Sequence, residues 1–333
     1  MKFSLYIFIL VLFHWSYGGV NEGMLLNPSD FGCIPEEVDA AEGNSECFQK
    51  MFDYSMLQKR QIIILEAKTY YISKELKIND FLIANLGGTT LIATDSINMI
   101  SLDMKGSRWK GVLKNFRLNL NSVARCGIYG IHPEKFRITD GEIFGIGTLA
   151  AGIEIDKGFE LFIDNVHFRG NQMNANGIIL RTSDCHVSNV VLIDCQNGIV
   201  MVGSNFFNQI HGWIQNPNFL SNSSLFVAKI GSDNYISQSY SDTYENAFFV
   251  EGLARLHISE MKVYHNLDKW NSIDSTLVRS YVFRFREPRL VNGAKIFLLN
   301  SHIGSLLYRG KNRMKLSNYK MSLKKENAVF FEK

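Results

Sequence analysis

Ile163-Asp164-Asn165-Val166-His167-Phe168 decides how this chain is read. It consists of an apolar residue, any residue, a polar hinge, two further residues and a second apolar residue. The same pattern stands at 113–118, 138–143, 187–192, 258–263 and 298–303, with weaker copies at Ile210-His211-Gly212 and Ile236-Ser237-Gln238. The hinges read from these copies are Asn115, Asp140, Asn165, Asn189, Gly212, Gln238, Glu260 and Asn300. Successive gaps between them are 25, 25, 24, 23, 26, 22 and 40 residues. A period of this length, kept over this many copies, is the signature of a solenoid.

Each unit carries a second apolar burst led by a small residue. Examples are Gly127-Ile128-Tyr129-Gly130-Ile131, Gly152-Ile153-Glu154-Ile155, Gly177-Ile178-Ile179-Leu180, Gly198-Ile199-Val200-Met201-Val202 and Ala247-Phe248-Phe249-Val250. Bursts of four or five residues rich in Ile and Val suit strands and are too short for helices. A coil therefore holds roughly three short strands separated by turns. Asn and Gly suit the hinge because both tolerate positive φ, and Asn side chains stacked coil on coil form hydrogen-bonded ladders. Leucine-rich repeats need a Leu-rich consensus that is absent, and a propeller needs about four strands in roughly 40 residues per blade. The expected fold is all-β, a parallel β-helix.

Composition agrees with a folded chain: of 333 residues, 46% are hydrophobic and 20% charged. Lys2 precedes an apolar run over 3–13, and Ser16-Tyr17-Gly18 offers small residues around a cut after Gly18. The run is too short to span a membrane, so residues 1–18 read as a signal peptide and the mature protein as secreted, periplasmic or held at the cell surface. Net charge is +3, but residues 309–333 hold eight Lys/Arg and two Glu, so the remainder is acidic. The tail reads as a solvated terminal cap whose end, Ala328-Val329-Phe330-Phe331, packs back as a final strand. An acidic body with no recognised motif gives no sign of nucleic-acid binding. The expected organisation is a signal peptide at 1–18, a lead-in segment with a capping helix at 19–60, the β-helix at 61–310 and a basic tail or cap at 311–333.

Ahead of the repeats stand Asp30-Phe31-Gly32-Cys33 and Asn44-Ser45-Glu46-Cys47-Phe48. Asn44 or Ser45 can cap a helix, and Phe48, Met51, Phe52 and Ser55 share one face of it. Such a helix plugs the open end of a solenoid. Gln61-Ile62-Ile63-Ile64-Leu65 and Thr69-Tyr70-Tyr71-Ile72 then read as the first buried strands. This succession of Asp-Phe-Gly, short helix, apolar strand and Thr-Tyr-Tyr-Ile resembles the start of pectate-lyase-like right-handed β-helix proteins. That superfamily includes rhamnogalacturonase- and epimerase-like enzymes and phage tailspikes. The resemblance implies a right-handed solenoid, a polysaccharide partner and a monomer or, as in tailspikes, a homotrimer. It departs from the pattern where the usual Pro-x-Gly gives way to Glu66-Ala67-Lys68. Members often carry small residues where Cys33 and Cys47 stand; in an exported chain this pair suggests a disulfide. Cys126, Cys185 and Cys195 read as core residues, and no Cys/His spacing fits a metal site.

The catalytic signatures of polygalacturonases and classical pectate lyases are absent, so no catalytic residue carries over. The irregular coils point instead to a place. In a solenoid, insertions at one point of the repeat project from one face. Two coils are enlarged after their hinges, one over 215–224 and one over 264–280, and between them lies a short coil with Ser241, Asp242, Tyr244 and Glu245. The expected cleft offers Trp213, Tyr244 and Trp270 as faces for sugar rings, and Asp242 and Glu245 as acid and base for glycosidic hydrolysis. For β-elimination, Lys269 or Arg279 would neutralise a uronate and His265 or Tyr244 would take the proton. Arg169 and Arg181, on neighbouring coils, would bind an acidic sugar or pair with Asp164 and Asp184. Asp242 and Glu245 as turn residues, and the whole chain as a non-catalytic carbohydrate binder or spike, are the competing readings. No cofactor is expected.

Overall fold

The apolar residues that open the six-residue pattern stand over one another coil by coil. Leu113, Ile138, Ile163, Val187 and Phe207 are register partners in parallel strands, and Ile236, Ile258 and Leu298 continue the column. The residues that close the pattern form a second column through Leu118, Ile143, Phe168 and Leu192. The small-residue bursts form a third through Ile128, Ile153, Ile178, Ile199, Phe226 and Phe248. We call the burst column ladder A, the opening column ladder B and the closing column ladder C. The protein is thus a parallel β-solenoid of about eight turns. The computed structural model describes residues 24–264 apart from Leu65, Phe81, 104–110 and 252–253, and beyond these the strands Tyr281–Phe285, Lys295–Leu299, Lys320–Lys324 and Ala328–Glu332. The expected signal peptide and most of the basic tail lie outside the described residues. The final strand is present: Ala328–Glu332 pairs antiparallel with Lys295–Leu299.

Along each strand, residues alternate between the interior and solvent, as a two-residue period requires. Ladder B shows what this does outside. Phe162, His186, Phe206, Tyr235 and His257 project outward from successive coils, and their rings stack at 4.3–5.2 Å between centroids and within 17° of parallel. Arg137 lies over the free face of Phe162 at 5.4 Å.

The corner between ladders B and C is made by one residue with positive φ. Asn115, Asp140, Asn165, Asn189, Gln209, Gln238 and Glu260 hold it at +47° to +55°. One hinge read from the sequence is therefore corrected. Gln209 turns the corner, and Gly212 lies within the strand Asn197–Trp213, in register with Leu192. Gly212 is small for a packing reason: a Cβ there would sit 2.1 Å from Leu225 Cδ1 and 2.9 Å from Tyr244 Cε2. The expected amide ladder exists in short runs. Asn165 Nδ2 donates to Asp140 Oδ1 and Asn115 Nδ2 to Asn85 Oδ1, each at 2.8 Å, and Asn189 Nδ2 reaches Asp164 Oδ1 at the same distance.

The N-terminal helix, α1 (Ala41–Gln58), buries Cys47, Phe48, Met51, Phe52 and Ser55, the face read from spacing together with its disulfide cysteine. Phe48 meets Tyr70 of the strand Thr69–Ile72 edge-on at 5.1 Å. Its start lies earlier than expected. Asn44 and Ser45 are inside the helix, because their side chains serve other partners. Asn44 exchanges two hydrogen bonds with the Ile34 backbone, at 2.7 and 2.9 Å. Ser45 Oγ accepts from Ser73 N at 2.9 Å and Lys74 N at 3.1 Å. Cys33 and Cys47 form a disulfide with Cα atoms 5.5 Å apart. The first strand is Met24–Leu26, ahead of the two named from sequence, and it pairs with Ile62–Ile64. Among the described residues, no helix is long and apolar enough to cross a membrane.

Candidate functional site

The loops that join ladder C to ladder A carry the place singled out by the irregular coils. Segment 214–223 joins Trp213 to the strand Ser224–Ala228 and contains the turn Pro217–Phe219. It folds down onto the core instead of standing free, since Phe219 and Leu220 are buried and Asp194 Oδ1 accepts from Gln215 N at 2.6 Å and Asn216 N at 2.7 Å. The other expected wall, with His265, Lys269, Trp270 and Arg279, lies outside the described residues.

Two residues of the floor are not where the cleft needs them. Tyr244 is fully buried, and its hydroxyl donates to the Cys195 carbonyl at 2.9 Å. The ring lies over Gly212, the one position in that stretch of ladder C without a side chain, and offers no face to a sugar. Burial holds its phenol well above the usual range, so it is no proton acceptor either. Glu245 is also buried. Its Oε2 accepts from Asn222 N, and its backbone N–H donates to Ser223 Oγ at 2.8 Å. It fastens one loop to the next, and this employment displaces the expected acid–base role. Paired small residues in ladder C, Gly212 and Ser241, were the sequence signal that an aromatic from elsewhere fills that space.

Trp213 and Asp242 do come together, as register partners in adjacent coils of ladder C, and both are half-buried. Asp242 Oδ1 accepts from Thr243 Oγ1 at 2.6 Å. Beside them His211 stacks on Tyr240 at 4.9 Å, and its Nε2 is buried with no hydrogen-bond partner among the described residues. Burial lowers the His211 pKa, and the Asp242 charge opposes that only in part.

A second constellation lies on the outward face of ladder A. In the strand Ala151–Asp156, Glu154 and Asp156 are two residues apart and so face the same way. Arg181 stands in register with Asp156 on the next coil. Its Nη1 lies 2.9 Å from Asp156 Oδ1 and 2.6 Å from Glu154 Oε1. Arg181 thus pairs with these two carboxylates and not with Asp184, which occupies a positive-φ turn. On the preceding coil, the Tyr129 hydroxyl reaches Asp156 Oδ2 at 3.4 Å. Burial, then the charges of Asp156 and Glu154, raise the Tyr129 pKa, so the phenol stays protonated and donates. All four groups remain open to solvent in part. Two carboxylates on either side of one cation, with a protonated phenol in reach, can polarise, protonate or deprotonate a sugar laid across them. The alternation in Glu154-Ile155-Asp156 was legible; the partner one coil away needed the register.

Among the described residues, no group of three or more His, Cys, Asp or Glu is placed to hold a metal ion. No family model and no curated protein matches the chain. Solved structures with a similar course include ORF18 of Geobacillus virus E2, at TM-score 0.47 and 9% identity over 93% of this chain. The chain spans 65% of that viral protein's length. The A-module of the mannuronan C-5 epimerase AlgE4 from Azotobacter vinelandii gives 0.40 and 11%, covering 84% of this chain and 95% of the module. PfbA, a surface adhesin of Streptococcus pneumoniae, gives 0.40 and 9%, covering 93% and 99%. By its own ladders, corners and register, the chain is a parallel β-helix protein, the fold to which the pectate-lyase-like resemblance pointed.

Proposed function

We propose that this is an exported protein that binds a polysaccharide along its solenoid and cleaves it, by hydrolysis or β-elimination, on the outer face of ladder A. The observation that carries the reading is the Glu154–Arg181–Asp156 bridge with Tyr129 beside it. A pair of neighbouring carboxylates is the minimum for glycosidic hydrolysis, one as acid and one as base or nucleophile. In β-elimination, one carboxylate of the pair would take the proton, and the protonated Tyr129 phenol would give one to the leaving oxygen. The sequence of residues 1–18 and the Cys33–Cys47 disulfide support export.

Incubation with a panel of acidic and neutral polysaccharides tests this. Ultraviolet absorbance of an unsaturated product marks elimination, and new reducing ends without that absorbance mark hydrolysis. Glu154→Gln and Asp156→Asn are each expected to lower kcat by about 100-fold or more. Binding without any product would overturn the catalytic reading and leave a non-catalytic carbohydrate binder.

A second reading puts the chemistry at Asp242 beside Trp213, with His265, Lys269, Trp270 and Arg279 completing the cleft. The buried His211 Nε2 next to Asp242, without a hydrogen-bond partner among the described residues, favours it. Asp242→Asn separates the two: loss of turnover there, with Glu154→Gln fully active, moves the chemistry to ladder C.

A further inference from the structure

The corner between ladders B and C carries a groove of about 800 Å³ that crosses the hinges of the N-terminal coils. It shares no lining residue with the ladder A cluster or with the Trp213–Asp242 region. Its polar lining comes from Asn85, from Asn115, Asp140 and Asn165 at the hinges, and from Arg117, Glu142 and His167 two residues after each hinge. Arg117, Glu142 and His167 are register partners, so one such side chain projects from each coil.

The lining offers both acceptors and donors. Asn115 and Asn165 each give one amide N–H to the neighbouring coil, to Asn85 and Asp140, and keep a second N–H and the carbonyl oxygen for a ligand. Asp140 Oδ2 and the His167 ring have no hydrogen-bond partner among the described residues. Arg117 Nε lies 2.9 Å from Glu142 Oε2, and its guanidinium lies over the Phe144 ring at 5.6 Å. Asp140 and Glu142 outnumber this one guanidinium and so disfavour an anion, and a wall of mixed donors and acceptors suits hydroxyl groups, which do both. The coils repeat about every 4.8 Å, close to the length of one pyranose unit along a glycan.

We infer that this corner groove is a second glycan site, one that takes an uncharged, hydroxyl-rich oligosaccharide and rejects acidic ones. The inference rests on the polysaccharide reading for its ligand class, but not on where cleavage occurs. Calorimetric titration with cellohexaose, xylohexaose and mannohexaose, against oligogalacturonate and oligomannuronate, tests it. At least one neutral hexasaccharide is expected to bind. The Asp140→Asn/His167→Ala double variant is expected to weaken that binding about tenfold, by removing two or so hydrogen bonds. Asn keeps the hinge, since it serves as hinge at three other corners, and His167 is exposed, so the variant should fold. The groove proposal is overturned if no neutral hexasaccharide binds, if the acidic oligomers bind more tightly, or if the double variant binds as well as wild type. Cleavage of an acidic polymer alongside failed neutral binding would sink this proposal and leave the cleavage reading standing.

Discussion

Tyr244 shows how much one residue position decides. By composition it is a sugar-stacking aromatic beside two carboxylates, and by packing it is the plug of a hole in ladder C. Gly212 takes a place that Leu192 fills one coil earlier, and the Tyr244 ring enters from the loop above. Its hydroxyl, once buried, needs a partner and finds the Cys195 carbonyl. Tyr244→Phe is therefore expected to cost about 1 kcal/mol, the worth of one hydrogen bond. Tyr244→Ala is expected to cost about 3–5 kcal/mol, because it opens a cavity beside Gly212. Urea unfolding of the two variants checks this. A Tyr244→Ala variant as stable as wild type, with altered sugar affinity, would restore the stacking role.

At the scale of elements, strands were legible because five-residue bursts and six-residue patterns have no helical alternative. The face of α1 was legible from Phe48, Met51 and Phe52 for the same reason. Its start was not, because Asn44 and Ser45 have side chains that cap helices equally well as they bind a distant backbone. Spacing cannot tell a cap at Ser45 from a bond to Ser73 N. The misplaced hinge at Gly212 has a similar origin: glycine marks positive φ or missing space, and only the register separates them. The same limit applies to the candidate site: alternation puts Glu154 and Asp156 on one face, but no motif singled them out, and Arg181 lies one coil away. The Cys33–Cys47 bond and α1 act as one element over the first coil. With the cysteines 14 positions apart in sequence, the chain-entropy model gives the bond roughly 3 kcal/mol. Reduction is expected to lower stability by about that amount, with the earliest loss of amide protection in Ile62–Ile64 and Thr69–Ile72, the strands beneath the helix. Loss appearing first in the coils near Ile236 would mean that α1 is not what holds the N-terminal end.

The whole molecule is a stack in which strand pairing joins each coil to its two neighbours, with single side-chain bonds such as Tyr244 to Cys195 reaching one coil further, and this governs how damage travels. Ile163 is buried in ladder B between Ile138 and Val187, with no register partner further away. In such a stack, stability is a sum of coil terms and nearest-neighbour interface terms. Ile163→Ala removes a fully buried side chain and is expected to cost about 2–5 kcal/mol. Hydrogen exchange should show where that cost falls. Protection should drop most at Phe162–Gly170, less at Phe136–Ile146 and at the paired part of Asn176–Ile193, and hardly at all at Leu76–Ile78 or Arg255–Ser259. The graded fall matters for function, because the ladder A cluster spans the coils of Tyr129, Glu154 and Arg181, and the corner groove the coils of Arg117, Glu142 and His167. Both draw on the coil of Ile163, which holds His167 and Arg181, so the same substitution should weaken both sites while the region of Trp213 and Asp242 keeps its geometry. A uniform loss of protection along the chain would show that the solenoid unfolds as one unit, and the three regions would then be tied to a single global stability.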